Sequence, residues 1–107
     1  MIVETPTPAW TVYCLTSPNG KMYVGITSHK PEDRWRNGSG YKKNRLIKKS
    51  IDKYGWDSFQ KEIVASGLTK EEAGHFEQLL IKELNLMDKR FGYNQTSGGE
   101  TAVAGAE

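Results

Sequence analysis

The first strongly apolar stretch, residues 10–26, consists of two short β-prone runs, WTVYCLT and KMYVGI, split by Ser17-Pro18-Asn19-Gly20. Each run carries one tyrosine, Tyr13 and Tyr23. Successive strand residues point to opposite faces, so the loop length decides whether the two phenols share a side. A two-residue Asn19-Gly20 loop pairs Thr16 with Tyr23 and sets the phenols on opposite faces. A three-residue Pro18-Asn19-Gly20 loop pairs Leu15 with Tyr23 and sets them side by side. Proline suits the first central position of a type I turn and glycine the left-handed position of the bulge that closes it, which favours the second register. The hairpin then becomes a platform for two adjacent phenols, although tyrosine is common in strands for packing alone.

Beyond the hairpin the period lengthens. Pro31 followed by Glu32 and Asp33 marks a helix start, predicting a short helix that carries Arg34, Trp35 and Arg36. Asn37-Gly38-Ser39-Gly40 breaks it and predicts a flexible link. Asn44 can cap a second helix whose apolar positions Ile47, Ile51 and Tyr54 recur at helical spacing, with Gly55 as its stop. Residues 58–65 predict a third strand, with Phe59, Ile63 and Ala65 on one face, Val64 on the other, and Gly67 ending it. Thr69 and Glu72 form a capping box for a last helix that runs to about Leu86. With Ala73 as origin and about 100° per residue, Leu80 falls near about 340°, Leu84 near about 20° and Glu77 near about 40°. Glu77 is therefore expected to face the sheet, where a carboxylate is costly unless it pairs with a cation or binds a metal. A buried ion pair to an arginine is the plain alternative. Phe91-Gly92-Tyr93-Asn94 re-enters the body of the fold. The expected division is a lead-in over 1–9, one domain over 10–97, and a loop with a flexible tail over 98–107. The fold class is α+β, a small three-stranded antiparallel sheet flanked by helices.

Length and composition narrow the classes. The 107 residues suit one domain, and no run is apolar enough to span a bilayer or to act as a leader, so a soluble intracellular protein is expected. Cys14 is alone, which rules out an intrachain disulfide and a cysteine-based zinc cluster. His29 and His75 are far apart, and His75 falls on the outer side of its helix. Trp10, Trp35 and Trp56 suit packing better than base stacking. No nucleophile-elbow pattern supports a serine or cysteine mechanism. Charge is the informative property. Residues 34–53 hold eight cations against Asp52 alone, in a chain whose net charge is +2, so the remainder is net negative. Arg36, Lys42, Lys43, Arg45, Lys48 and Lys49 are the candidates for contacting a phosphate backbone, with a solvated lysine face as the plain alternative.

Taken in order, Thr11-Val12-Tyr13, Tyr23-Val24-Gly25 ten residues on, Arg34-Trp35, Glu77 with Ile81-Lys82-Glu83-Leu84, Gly92-Tyr93-Asn94 and Gly98-Gly99-Glu100 resemble a GIY-YIG endonuclease domain of the homing type found in phage and bacteria. Tyr54-Gly55-Trp56 before Phe59 resembles the middle of such domains. The resemblance covers about Val12 to Glu100 and implies a three-stranded antiparallel sheet with helices around it. It further implies that Tyr13 and Tyr23 are the motif tyrosines, Arg34 the catalytic arginine, Glu77 the metal ligand and Asn94 the supporting asparagine. Two departures stand out. Thr11 and Val12 replace the glycine and isoleucine of the family name, neither needed for chemistry. Four residues after the arginine, where many relatives carry His or Tyr, this chain has Gly38, and Tyr41 is a candidate substitute.

The implied activity is hydrolysis of DNA to a 5′-phosphate and a 3′-hydroxyl with one Mg²⁺ or Mn²⁺. Such chemistry needs a deprotonated water, neutralised phosphate oxygens and a stabilised leaving alkoxide. Glu77 suits a hard divalent ion that keeps several waters. Arg34 offers a permanent fork of donors to phosphate. Tyr13 is the expected general base if neighbouring cations lower its pKa, Tyr23 positions water or phosphate, and Asn94 fixes local geometry. Weak sequence preference is expected, because backbone contacts position without specifying. A non-catalytic nucleic-acid-binding module and a structure-specific repair nuclease are the alternatives.

Overall fold

The computed structural model describes residues 9–98; of the expected lead-in and tail, only Ala9 and Gly98 fall within them. The hairpin takes the three-residue-loop register. Strand β1 (Trp10–Thr16) pairs antiparallel with β2 (Met22–Thr27), Leu15 opposite Tyr23 and Tyr13 opposite Gly25. The Gly20 N–H donates to Ser17 O at 2.9 Å and Gly20 takes φ +88°, the left-handed value that the closing bulge requires. Helix α1 (Pro31–Trp35) follows, then a 3₁₀ segment (Arg36–Tyr41), α2 (Arg45–Tyr54), a 3₁₀ turn (Trp56–Ser58), β3 (Gln60–Leu68) and α3 (Lys70–Glu83). Strand order is β2-β1-β3, all antiparallel, so β1 is central and α+β is the class.

The period-two alternation of β1 feeds two cores. Val12 and Cys14 join Val24 and Ile26 of β2 with Ala73 and Ile81 of α3. Tyr13 and Leu15 point the other way, into a largely aromatic core with Trp35, Tyr41, Ile47 and Phe59. Val12, Leu15, Val24 and Ile47 are all fully buried, each side chain of this kind stabilising the fold by roughly 1.5–3 kcal/mol. The tryptophans serve these cores: Trp35 is buried, Trp56 packs on it with ring centroids 5.8 Å apart, and Trp10 packs against the α3 side.

The helix caps behave as their residues demand. The Asn44 side chain accepts from Leu46 N and Ile47 N, a cap typically worth about 1 kcal/mol. Thr69 and Glu72 make the full capping box. Helix α3 stops at Glu83 rather than Leu86, because Asn85 takes φ +57° and the Leu86 N–H donates back to Ile81 O at 2.9 Å. This left-handed ending closes Leu86 onto the core and leaves Leu84, expected inside, 41% exposed at the cap.

Two other expectations change. The third strand begins at Gln60, since Phe59 caps a 3₁₀ turn, and runs through Gly67 to Leu68. Its register against β1 slips twice, with Tyr13 opposite Ile63 but Val12 opposite Ala65 and Trp10 opposite Leu68. The bulges turn Ala65 to the face opposite Ile63 and absorb Gly67 at φ +68° inside the strand. The link at residues 37–40 is not a loose tether. Gly38 is buried, and a Cβ there would lie 3.1 Å from Ile51 Cγ2 and 3.2 Å from Trp56 Cε3. Among the described residues no helix is long and apolar enough to cross a membrane.

Candidate active site

The hairpin sets the site's first dimension. Tyr13 and Tyr23 share a face with ring centroids 6.4 Å apart, as the loop chemistry predicts. Gly25 makes this possible: a Cβ at that position would sit 2.5 Å from the Tyr13 hydroxyl oxygen and 3.0 Å from Tyr23 Cε2. The Tyr13 phenol thus lies across the strand directly over a residue that can have no side chain.

Helix α1 and the 3₁₀ segment bring the cation. Arg34 Nη1 donates to Gly40 O at 2.6 Å, and its guanidinium carbon stands 4.6 Å from the centroid of the Tyr41 ring. Gly40 must be glycine, because a Cβ would run into the Arg34 carbonyl. Tyr41 also stands edge-on to Tyr23, at 5.4 Å between centroids, and its hydroxyl donates to Tyr13 Oη at 2.7 Å. Sequence reasoning admitted Tyr41 only as a stand-in for the missing side chain at Gly38. Its place beneath the guanidinium depends on the fold of residues 36–41, for which the glycines were the only local signal.

Helix α3 supplies the carboxylate. Glu77 is 4% exposed on the buried stripe with Ala73 and Ile81, as its angular position predicts. Asn94 arrives from the chain that returns beside β2. Met22 N donates to Phe91 O, Tyr93 N donates to Met22 O, and the Asn94 carboxamide continues this ladder by donating to Val24 O at 2.9 Å and accepting from Val24 N at 3.0 Å. Both ends of the amide are engaged by strand backbone, so Asn94 fixes the edge of β2. Behind it, the buried Tyr93 hydroxyl binds Ser17 Oγ and Ser50 Oγ, tying hairpin turn to α2.

Tyr23, Arg34, Tyr41, Glu77 and Asn94 line one cavity of about 600 Å³ at the β2 edge, where both layers meet. Arg36, Lys42 and Lys43 stand on its rim, as do His29 and Asp33, neither expected there as a principal group. Arg45, Lys48 and Lys49 lie on the exposed side of α2, Lys48 paired with Asp52 at 2.8 Å. Tyr13 is fully buried behind the cavity rather than on its wall. Burial first, then the fields of Tyr23 and Tyr41, push its phenol well above the ordinary value, and Arg34 opposes them only in part. The lowered pKa that a Tyr13 general base needs is therefore absent from the protein alone. Among the described residues no group of three or more His, Cys, Asp or Glu is arranged to hold a metal. One buried carboxylate facing a wide cavity does suit a hard cation that retains most of its waters.

A small α+β domain with two neighbouring phenols, an arginine and an inward glutamate has the makings of a phosphodiesterase. The chain belongs to the GIY-YIG family, whose catalytic-domain model matches residues 9–94. It is 38% identical over 91 residues to "Putative endonuclease segD" of Enterobacteria phage T4, covering 84% of this chain and 39% of that protein. It is 34% identical over 82 residues to "Putative endonuclease segB" of the same phage, covering 77% of this chain and 35% of the other. The chain thus spans less than two-fifths of the length of these relatives. No solved structure is a significant match.

Proposed function

We propose that this domain is a DNA endonuclease that uses one divalent ion, Mg²⁺ or Mn²⁺, and leaves a 5′-phosphate and a 3′-hydroxyl. The observation that carries the reading is the convergence of Glu77, Arg34, Tyr23 and Tyr41 on one cavity rimmed by Arg36, Lys42 and Lys43. Both endonuclease-named relatives support it. Glu77 holds the ion, which when bound neutralises phosphate charge and stabilises the departing oxygen.

The chain's own residues do the rest. The rim cations draw the phosphate backbone toward the cavity, and Arg34, braced by Gly40 O and the Tyr41 ring, presents donors to the scissile phosphate. A water oxygen attacks phosphorus and gives up its proton to the solvent that fills the cavity, the bond from phosphorus to the 3′ oxygen breaks, and that oxygen takes a proton from the same solvent to leave as the 3′-hydroxyl. Tyr23 and Tyr41 line the cavity and orient the water, while Tyr13 keeps its proton and anchors Tyr41 from behind. Asn94 holds the β2 edge that bears Tyr23. Sequence preference is weak, because the rim residues are of the kind that contact phosphate rather than base edges.

The test is nicking of supercoiled plasmid in Mg²⁺ by the parent and by Glu77→Ala. Nicking by the parent, abolished in the variant and by EDTA, supports the reading. Plasmid binding with no nicking by either protein identifies a non-catalytic binding module instead, and cleavage confined to flap or junction substrates identifies a structure-specific nuclease.

A further inference from the structure

Past Asn94 the chain does not leave the site. Residues 94–96 line the main cavity, whereas Ser97 lines a second cavity of about 340 Å³ together with Gln78 and Ile81. Residues 95–98, beyond the family match at 9–94, therefore form a partition against α3. Gly98 is buried with φ +87°, a conformation suited to glycine. A Cβ on it would lie 3.1 Å from Glu77 Oε1, 3.1 Å from Ile81 Cδ1 and 3.2 Å from Glu77 Cδ. Its backbone is thus packed against the carboxylate, and Gln78 Nε2 donates to Gly98 O at 3.2 Å to hold it there. Gln78 itself is exposed and is not among the residues that line the main cavity.

We infer that Gln78 and Gly98 form a strap that positions the Glu77 carboxylate for its metal, an inference that rests on the nuclease reading above. Among the described residues Glu77 is the one buried carboxylate in the lining of the main cavity, so a metal held there depends on its aim. Groups that orient a ligand from behind commonly change metal affinity ~10–100-fold when removed. Gln78 is a positioning residue: it lies outside the main cavity's lining and acts on the carboxylate through Gly98.

The experiment measures Mn²⁺ binding by water-proton relaxation, with plasmid nicking as a function of Mg²⁺ alongside, for the parent, Gln78→Ala, Gly98→Ala and Glu77→Ala. Because Gln78 is exposed, its alanine variant retains the fold. The expected result is Mn²⁺ binding weakened ~10-fold in Gln78→Ala, an equal rise in the Mg²⁺ needed for half-maximal nicking, and recovery of the rate at high Mg²⁺. Thermal midpoint and plasmid affinity in EDTA stay at parental values, which separates aim from general damage. Gly98→Ala shows the same shift by pressing on the carboxylate. If Glu77→Ala loses Mn²⁺ while Gln78→Ala and Gly98→Ala bind it as the parent does, the strap is overturned and the metal site stands. If Glu77→Ala binds Mn²⁺ like the parent, the metal site and the strap fall together.

Discussion

Replacing Gly25 with alanine tests the contact on which the tyrosine platform rests. The new methyl would meet Tyr13 Oη at 2.5 Å, Tyr13 Cζ at 2.7 Å and Tyr23 Cε2 at 3.0 Å. Tyr13 has little room to yield: it is fully buried, stands edge-on to Trp35 at 5.6 Å and accepts the Tyr41 hydroxyl at 2.7 Å. Gly25 lacks a positive φ, so alanine suits the strand backbone and the whole cost is steric. Overpacking of this kind costs about 1–3 kcal/mol, which at about 4–8 °C per kcal/mol for a domain this size is a clear thermal shift. Urea denaturation and single-turnover nicking should both be followed. Cleavage should fall further than the loss of folded protein accounts for, because displacing Tyr13 also displaces Tyr41. A double-mutant cycle with Tyr13→Ala isolates the clash, since removing the ring should recover most of the Gly25→Ala penalty. A Gly25→Ala variant of parental stability, or a cycle additive within about 0.5 kcal/mol, would refute the argument.

Asn94→Ala should cost about 2–4 kcal/mol in urea unfolding, because it strips partners from both the N–H and the C=O of the buried Val24; a loss below about 0.5 kcal/mol would mean that water replaces the amide freely. Tyr13 gives the protein an alkaline limit. Its folded pKa is raised, so the native state keeps a proton that the unfolded chain sheds near pH ~10, and stability falls above that pH by up to about 1.4 kcal/mol per unit. Below that pH both states are protonated and the group contributes no slope; Tyr13→Phe should flatten the alkaline limb in pH-dependent urea titrations. For the rim, Lys42→Glu with Lys43→Glu should weaken plasmid binding and reduce the slope of log K against log salt by roughly 0.9 for each phosphate that the protein no longer neutralises. An unchanged slope would remove these lysines from the interface.

What was legible in the sequence was what short-range physics decides. The Pro18-Asn19-Gly20 loop has one favoured register, and that register places Tyr13 beside Tyr23. The angular position of Glu77 follows from helical geometry, so its burial needed no tertiary information. Where local rules failed, distant residues decided. The glycines at 38 and 40 read as looseness, yet one faces Ile51 and Trp56 and the other lies against Arg34. Gly67 read as a stop, yet an isolated glycine in a strand can equally mark a bulge, and pairing with β1 selects the bulge. Asn94 carried no sign in its own neighbourhood that its amide would complete the edge of β2. The raised pKa of Tyr13 is likewise invisible until both cores are assembled around it.

The departure at Gly38 and the position of Tyr41 have a single structural cause. At φ +94°, with Ile51 Cγ2 and Trp56 Cε3 at 3.1 and 3.2 Å from a would-be Cβ, residue 38 has neither the backbone nor the space for a large side chain. The same left-handed run, Arg36 at φ +49°, Asn37 at φ +55° and Gly38, reverses the chain so that Tyr41 comes back under Arg34. A histidine or tyrosine introduced at 38 would therefore strain the turn that delivers Tyr41. Gly38→His should lower stability and cleavage together, whereas Tyr41→Phe, which keeps the ring beneath the guanidinium and deletes only the hydroxyl that reaches Tyr13, should lower cleavage with far less effect on DNA binding. A Gly38→His variant that nicks plasmid as fast as the parent with Tyr41→Phe also in place would show that the two positions are interchangeable, and that the turn is not what commits this chain to Tyr41.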